Sequence, residues 1–252
     1  MNMTRPRPSI TVVLAMSADG KIADGARSPA RFGSERDRLH LEARLAEADG
    51  VLSGASTVRV YGTILPIRTP GLIKARCDRQ QPPQPTYIVC SRSGNLDSSL
   101  RFFQQAVPRW LLTTKTGGTH WQDADDQDAK DTEKFQQILT VPEQGEGLDW
   151  AIALPLLYEL GIHRLVVAGG GQVVASLLAV GAIDDLWLTV CPLLLGGAHA
   201  PTPVDGAGFL ANVAPHLHLQ SIEAIEHEVF LHYQVKAPAE PKDHVRNKTR
   251  KF

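Results

Sequence analysis

Short apolar runs recur along most of the chain, separated by segments with helical spacing. The first run, residues 10–15 (ITVVLA), is apolar and rich in β-branched side chains, which predicts a strand buried on both faces. Further runs of this kind cover residues 51–54, 86–90, 110–114, 135–141, 164–168 and 184–195. Residues 229–235 alternate between apolar and polar side chains, and we expect this last strand to close the sheet.

Helix signals lie between these runs. Ser34, followed by Glu35 and Asp37, predicts the start of a helix through residues 38–48, because acidic side chains favour the positive end of a helix. Further helices are predicted over residues 55–60, over residues 150–160 between the N-cap Asp149 and Gly161, and over residues 172–180 before Gly181. The alternation predicts an α/β fold with a mostly parallel central sheet and helices on both faces. The last strands have no helix between them, so we expect an antiparallel C-terminal end.

Three polar segments interrupt this pattern. Residues 61–85 are rich in Pro and Arg and predict a long loop, and the acidic residues 116–134 predict a mobile surface insertion. The basic, Pro-punctuated residues 237–252 predict a disordered tail. No composition shift marks a boundary elsewhere, so we expect one domain over residues 9–236.

Composition and charge exclude several classes of protein. The 252 residues carry a net charge of -1, with 43% hydrophobic and 21% charged residues, which is an ordinary globular composition without the basic surface of a nucleic-acid or membrane-surface binder. The apolar runs are strand-length, too short to span a membrane. Three widely spaced cysteines predict neither a disulfide framework nor a metal site. With no apolar secretion signal at the N-terminus, we expect a cytoplasmic protein.

The strongest local signal for chemistry is a glycine turn. A buried strand runs into Gly169, Gly170 and Gly171 and then into a helix. Glycine permits positive φ and close backbone approach, and the unpaired N–H groups of a helix N-terminus bind anions such as phosphate. The segment is neither a GxGxxG nor a Walker A motif, and a tight strand-to-helix turn without a ligand is the alternative interpretation.

Two more turns follow predicted strands at the same edge of the sheet. Asp19 and Lys21 lie in the turn after the first strand, and residues 53–57 (SGAST) follow the second. Because ligands of open α/β sheets bind outside the carboxyl ends of the strands, these turns and the glycines predict one site. A solvated lysine and a helix cap are the alternatives. Arginines that could bind phosphate lie in or between these loops, at positions 31, 36, 44, 59 and 68.

The combination resembles a known family. The first strand runs into MSADGKIA, the second into DGVLSGASTV, and residues 167–209 read VAGGGQVVASLLAVGAIDDLWLTVCPLLLGGAHAPTPVDGAGF. Over roughly residues 10–236 the chain resembles the reductases of riboflavin biosynthesis, the RibD C-terminal-like proteins of dihydrofolate-reductase-like fold. The resemblance implies a homodimer that uses NADPH to reduce the ribosyl group of 5-amino-6-(5-phosphoribosylamino)uracil, or of its 2,5-diamino pyrimidinone counterpart, to ribityl by hydride transfer to C1′.

The resemblance also implies roles for individual residues. Lys21 falls at the catalytic position. The implied cofactor contacts are Arg31, Thr57, Ser91, Gly169, Gly170, Gly171, Gln172 and Val173. The implied substrate contacts are Asp19, Arg44, Leu65 and Arg68, with Arg68 suited to the 5′-phosphate.

The chain departs from the family pattern at three places: Arg44 lies one residue early in the first helix, residues 59–62 (RVYG) replace the usual Asp-Asp-Pro, and Ala168 precedes the glycine turn. Ala168 stands immediately before the glycine turn, where the family usually has an acidic residue that contacts the substrate. Two interpretations stay open: a reductase of the pathway, or a cofactor-binding homologue with a changed substrate or lost turnover that acts as the partner of a separate deaminase.

Overall fold

The structure, a computed structural model, describes residues 6–29, 32–122 and 134–236. Its strands are β1 (Ser9–Ser17), β2 (Gly50–Gly54), β3 (Thr86–Ser91), β4 (Arg109–Thr113), β5 (Gln137–Thr140), β6 (Glu143–Gln144), β7 (Gly147–Leu148), β8 (Arg164–Val167), β9 (Asp185–Cys191), β10 (His216–Ile225) and β11 (Glu228–Lys236). Its helices are α1 (Glu35–Glu47), α2 (Ala55–Tyr61), α3 (Pro70–Asp78), α4 (Lys115–Gln122), α5 (Trp150–Glu159) and α6 (Gly171–Ala179), with a 3₁₀ turn at Arg101–Gln104. The predicted tail, residues 237–252, lies outside the described residues.

A single mixed sheet organises the fold. In the described part of the chain, nine strands pair in the order β10-β11-β9-β1-β8-β2-β3-β4-β5. The strands from β9 to β5 in this order are parallel, whereas β11 is antiparallel to β9, and β10 to β11. The predicted α/β fold with an antiparallel C-terminal end is confirmed. Because the inner strands are parallel, the turns after β1, β2, β3 and β8 open at one edge of the sheet.

Both faces of the sheet carry apolar packing, as the continuous apolar runs predict. On one face, Leu154 of α5 and Leu177 of α6 pack against Ile10 and Leu52, and all four side chains are fully buried. On the other, residues of α1 and α2 such as Leu45 and Val58 pack against Val13, Val51 and Leu111. Each fully buried aliphatic side chain stabilises the fold by about 1.5–3 kcal/mol, so the two layers hold the strand ends at the open edge in place.

The start of α1 follows its prediction. The Ser34 hydroxyl accepts hydrogen bonds from the N–H groups of Arg36 (3.0 Å) and Asp37 (3.2 Å), and Glu35 and Asp37 lie in the first turn.

The prediction of a continuous loop over residues 61–85 was wrong, because α3 lies within it. Proline at the first helical position is compatible with a helix, and Pro70 occupies that position. The guanidinium of Arg76 is buried and donates to the carbonyls of Ala46 (3.1 Å) and Ala48 (2.6 Å) at the end of α1. The buried Arg76 therefore fastens α3 to α1.

The prediction of a mobile insertion over residues 116–134 was wrong at its start, where α4 forms. The hydroxyl of Thr114 accepts from the N–H of Gly117 (3.0 Å) near the start of this helix. Trp121 packs on Phe103 and Phe135, with ring centroids 5.5 and 4.9 Å away, so aromatic contacts hold α4 against the domain. Residues 123–133 lie outside the described residues.

Two strand assignments also need correction. The strand predicted over residues 184–195 ends at Cys191, because Pro192 has no N–H to continue the ladder. The sheet is not closed by β11, since β10 pairs outside it and forms the edge. Nearly every residue of β10 is exposed, so this strand has no buried apolar run that would have predicted it.

Candidate functional site

A large cavity opens at the carboxyl edge of the sheet. Its volume is about 1480 Å³, larger than the roughly 300–1,000 Å³ of a typical small-molecule site. Its lining includes two groups of residues, which we call walls: the glycine turn with the start of α2, and the start of α1 with Thr63, Ile64, Leu65 and Arg68. The cavity therefore has room for two ligands side by side.

The glycine turn has the conformation that its composition predicts. Gly169 has φ +142° and Gly170 has φ +93°, backbone conformations that residues with a Cβ rarely adopt. A Cβ on Gly171 would lie 2.3 Å from the Thr202 carbonyl oxygen. The first helical bond of α6 joins the N–H of Val174 to the Gly170 carbonyl (3.1 Å), so the preceding N–H groups are at the unpaired, positive end of the helix. This arrangement fits a phosphate or pyrophosphate.

The other predicted cofactor contacts line the same cavity. The methyl group of Thr57 would lie 3.5 Å from a Cβ on Gly169, so Thr57 sits directly beside the turn. Ser91 is buried at the end of β3, and Gln172 and Val173 form the first turn of α6. Arg31 lies outside the described residues.

Asp19 and Lys21 lie in one turn but have different surroundings. The carboxylate of Asp19 accepts hydrogen bonds from the Ser17 hydroxyl (2.6 Å) and the N–H groups of Leu195 (3.0 Å) and Gly196 (2.6 Å). These bonds lower the pKa of Asp19 to about 2, the Ser17 bond contributing most. Asp19 thus joins the turn to residues 195–196 and does not line the cavity.

Lys21 lies beside the cavity. Its neighbour Ile22 is part of the cavity wall, as is Pro201, while the ammonium of Lys21 is 3.5 Å from the carbonyl oxygen of Ala200. Among the described residues this weak contact is the sole hydrogen bond of the ammonium, and Lys21 itself, like Asp19, is not a lining residue.

The predicted substrate contacts separate into two groups. Leu65 and Arg68 line the cavity, and the Arg68 side chain has no hydrogen-bond or ion-pair partner in the described part of the chain. Arg44 does not reach the cavity. Its guanidinium lies 4.8 Å from the Trp187 ring centre and 3.4 Å from Glu47, because the last turn of α1 faces the opposite edge of the sheet.

The sequence of the chain is similar to that of a known protein family. Residues 8–231 match the family described as the RibD C-terminal domain. The chain belongs to the RibD C-terminal domain family.

Relatives of this RibD C-terminal domain carry pathway names. The chain is 26% identical over 204 residues to the 2,5-diamino-6-ribosylamino-4(3H)-pyrimidinone 5′-phosphate reductase of Archaeoglobus fulgidus, covering 81% of this chain and 89% of that one. It is 28% identical over 238 residues to the riboflavin biosynthesis protein RibD of Actinobacillus pleuropneumoniae, covering 92% of this chain and 58% of that one. This chain therefore spans little more than half the length of that RibD protein.

Solved structures show the same fold. A pyrimidine reductase-like protein from Corynebacterium diphtheriae superposes with a TM-score of 0.73 at 19% identity, covering 90% of this chain and 92% of that one. A deaminase/reductase from Thermotoga maritima has a TM-score of 0.69 at 19% identity, covering 91% and 57%. At this identity the likeness concerns the fold alone, and it confirms the dihydrofolate-reductase-like fold expected from the resemblance.

The sequence did not indicate that Asp37 lies in the cavity of this RibD C-terminal domain. Asp37 lines the cavity, where the Thr189 hydroxyl bonds to its carboxylate. Burial raises the pKa of Asp37; the Thr189 bond opposes this rise, whereas the charge of Glu228 adds to it. In the sequence, Asp37 is recognisable only as an acidic residue in the first turn of α1. Its contact with Thr189 of β9, 152 positions later, cannot be predicted from the residues around Asp37.

Ala168 lies on the same face of the sheet as this carboxylate. Ala168 is half-buried and packs against the apolar cluster on the α1 side that contains Val13. The cavity therefore presents a methyl group at position 168 and a carboxyl group at Asp37.

The described residues contain neither a metal-binding cluster nor a membrane-spanning helix. No group of three or more His, Cys, Asp or Glu side chains there is arranged to hold a metal ion. No described helix combines the length and apolar character needed to cross a membrane.

Proposed function

We propose that this protein is an NADPH-dependent reductase of riboflavin biosynthesis. Its substrate would be 5-amino-6-(5-phosphoribosylamino)uracil or the 2,5-diamino pyrimidinone counterpart, whose ribosyl group is reduced to ribityl at C1′. The observation that carries this proposal is the two-sided cavity, with a glycine-lined helix N-terminus on one wall and the unpartnered Arg68 on another. The reductase names of relatives such as that of Archaeoglobus fulgidus support it.

The glycine turn and its neighbours would hold the cofactor. The N–H groups at the start of α6 bind the pyrophosphate, and Thr57 lies beside them. When bound, reduced nicotinamide supplies the hydride. The protein contributes alignment of the two ligands and exclusion of water from the cavity.

Arg92 favours NADPH over NADH. It follows Ser91 at the carboxyl end of β3 and lines the cavity, and its exposed side chain has no hydrogen-bond partner among the described residues. A guanidinium at this rim is suited to the 2′-phosphate that distinguishes the two cofactors.

The substrate would occupy the opposite wall. Arg68 binds the 5′-phosphate, and Lys21, the neighbour of the lining residue Ile22, would support proton transfer to the opening sugar. Asp37 offers a carboxyl group to the polar edge of the pyrimidine in a wall where position 168 offers none.

A homodimer fits the exposed edge of the sheet. Apolar side chains on and near β10 are exposed, and a second copy of the chain would bury them. These residues are Leu210, Val213, Leu217, Leu219 and Ile222.

A cofactor-binding homologue without turnover is the second candidate. It is favoured by Ala168, which removes the acidic side chain that the family usually places beside the substrate. Such a protein would act as a partner of a separate deaminase.

Turnover separates the two candidates. The purified chain is mixed with NADPH and, in parallel, with the uracil or the 2,5-diamino substrate, and absorbance of the reduced nicotinamide is followed. We expect absorbance to fall with at least one substrate. NADPH binding without turnover on either would refute the reductase and favour the binding protein.

A further inference from the structure

The segment Thr63–Thr69, which we call the strap, carries Leu65 and Arg68 to the cavity without forming a helix or strand. Side chains from distant parts of the chain pair with its backbone. The carboxamide of Gln105 accepts from the N–H of Ile64 (2.9 Å) and donates to its carbonyl (3.0 Å). The strap is therefore held in one conformation by side-chain hydrogen bonds in place of a sheet ladder.

Gln84 and Tyr87 hold the middle of the strap. The Gln84 carboxamide accepts from the N–H of Ile67 (3.0 Å) and donates to its carbonyl (2.8 Å). The Tyr87 hydroxyl donates to the Leu65 carbonyl (2.9 Å).

Glu42 of α1 holds the end that carries the arginine. Its Oε2 atom accepts from the N–H of Arg68 (3.0 Å) and from both the N–H (2.9 Å) and the hydroxyl (2.7 Å) of Thr69. The other oxygen pairs with Arg38, and the side chain is only 2% exposed. Burial alone would raise the pKa of Glu42, but the bonds from Thr69 and Arg68 and the charge of Arg38 lower it, so the carboxylate is ionised at neutral pH.

We propose that Glu42 is a positioning residue that directs Arg68 towards the phosphate of the substrate. The carboxylate binds the backbone N–H of Arg68 itself, and its charge is neutralised by Arg38, so the guanidinium of Arg68 stays free for a ligand anion. A fixed backbone lowers the entropy lost when the long arginine side chain binds phosphate. This inference rests on the proposed function for the identity of the substrate, but phosphate binding at the strap can be measured without turnover.

The test measures binding of ribose 5-phosphate and of ribose by calorimetry, with wild type and Glu42→Gln. Wild type should bind the phosphorylated sugar more tightly than ribose. Glu42→Gln should raise the dissociation constant of ribose 5-phosphate about tenfold and leave that of NADPH unchanged, because the amide NH2 group replaces one acceptor oxygen and must face either the Arg38 guanidinium or the N–H groups of the strap. If the protein turns over, KM should rise more than kcat falls.

Asp49→Asn is the matched control. Asp49 is also a carboxylate that accepts backbone N–H groups, from His163 (3.1 Å) and Arg164 (2.8 Å), but at the opposite edge of the sheet. The Asp49→Asn variant should have a lower melting temperature than wild type but the same affinity for ribose 5-phosphate. Thr69→Val removes a single donor to Glu42, and we expect a smaller effect in the same direction as that of Glu42→Gln.

The outcomes distinguish this inference from the proposed function. If the chain shows no turnover but Glu42→Gln specifically weakens the binding of ribose 5-phosphate, the proposed reductase function is wrong and the role of Glu42 is supported. Turnover with unchanged ribose 5-phosphate binding in both Glu42→Gln and Thr69→Val overturns the role of Glu42. Equal losses in Asp49→Asn and Glu42→Gln, or no binding of ribose 5-phosphate by wild type, overturn it as well.

Discussion

The two walls of the cavity are built in different ways. The glycine wall presents backbone N–H groups at the start of α6 beside small side chains such as Thr57, and strand–helix geometry alone places them. The α1 wall, with the strap, presents charged side chains held by contacts between distant positions, such as Glu42 with Thr69 and Ser34 with Glu228. The glycine wall suits a cofactor that stays the same when the substrate differs. The α1 wall depends on individual side chains, such as the carboxyl group of Asp37, and suits the choice of substrate.

Loss of the Lys21 ammonium should have the largest effect on turnover. We expect Lys21→Ala to lower kcat about a hundredfold and to change the NADPH dissociation constant little, since a positioned proton-transfer group acts in the chemical step. Steady-state kinetics and a fluorescence titration of NADPH measure the two quantities. Lys74→Ala, which removes only the surface ion pair with Asp78, is the control. Weaker NADPH binding with normal kcat would show that Lys21 contacts the cofactor and does not take part in proton transfer.

A branched side chain in the glycine turn should weaken cofactor binding at the glycine wall. Gly170→Val should raise the NADPH dissociation constant about tenfold or more, because valine at φ +93° is strained and its methyl groups crowd the pyrophosphate. Gly161→Val is the control, since Gly161 has φ +89° and open space around it, after α5 and away from the cavity. If both variants keep wild-type affinity, the turn does not bind the cofactor.

The rim arginine tests whether the glycine wall selects NADPH. Arg92→Gln should weaken NADPH about tenfold and leave NADH unchanged, since the contact involves only the 2′-phosphate. Titration of both cofactors measures the difference. Equal weakening of both would show that Arg92 contributes to the fold of this wall and not to selectivity.

The smallest predicted effect is on the pH dependence of stability and concerns His40 of α1. His40 packs against Trp187 and Phe230, with ring centroids 4.9 and 5.3 Å away, and neither ring nitrogen has a hydrogen-bond partner among the described residues. Burial, with the charges of Arg44 and His232, lowers the pKa of His40 to about 4. The unfolded chain, with a histidine pKa near 6.5, therefore binds more protons between about pH 6.5 and 4, and stability falls as the pH falls through this range.

Thermal unfolding at several pH values measures this contribution. We expect a loss on the order of 1 kcal/mol for wild type, reduced by the partial exposure of the ring, and a smaller loss for His40→Leu. His218→Gln, on the exposed strand β10, should keep the wild-type slope. An unchanged slope in His40→Leu would show that other groups cause the acid sensitivity.

The same contrast explains what the sequence could predict. The buried parallel strands and the glycine turn follow from local patterns, and their shared edge follows from parallel pairing, which β1 with β8 and β9 confirms. The strap contacts could not be predicted, because Glu42 and Thr69 are 27 positions apart and nothing near Glu42 indicates its partner. Arg44 shows the same limit, since a helical position does not tell which edge of the sheet the side chain will face.

Isotope transfer tests the central claim most directly. The chain is incubated with NADPH deuterated on the transferring face of nicotinamide C4 and with each candidate pyrimidine, and the products are analysed by mass spectrometry and NMR. The account predicts one deuterium at C1′ of a ribityl product from at least one substrate. NADPH binding without deuterium at C1′ from either substrate would contradict it.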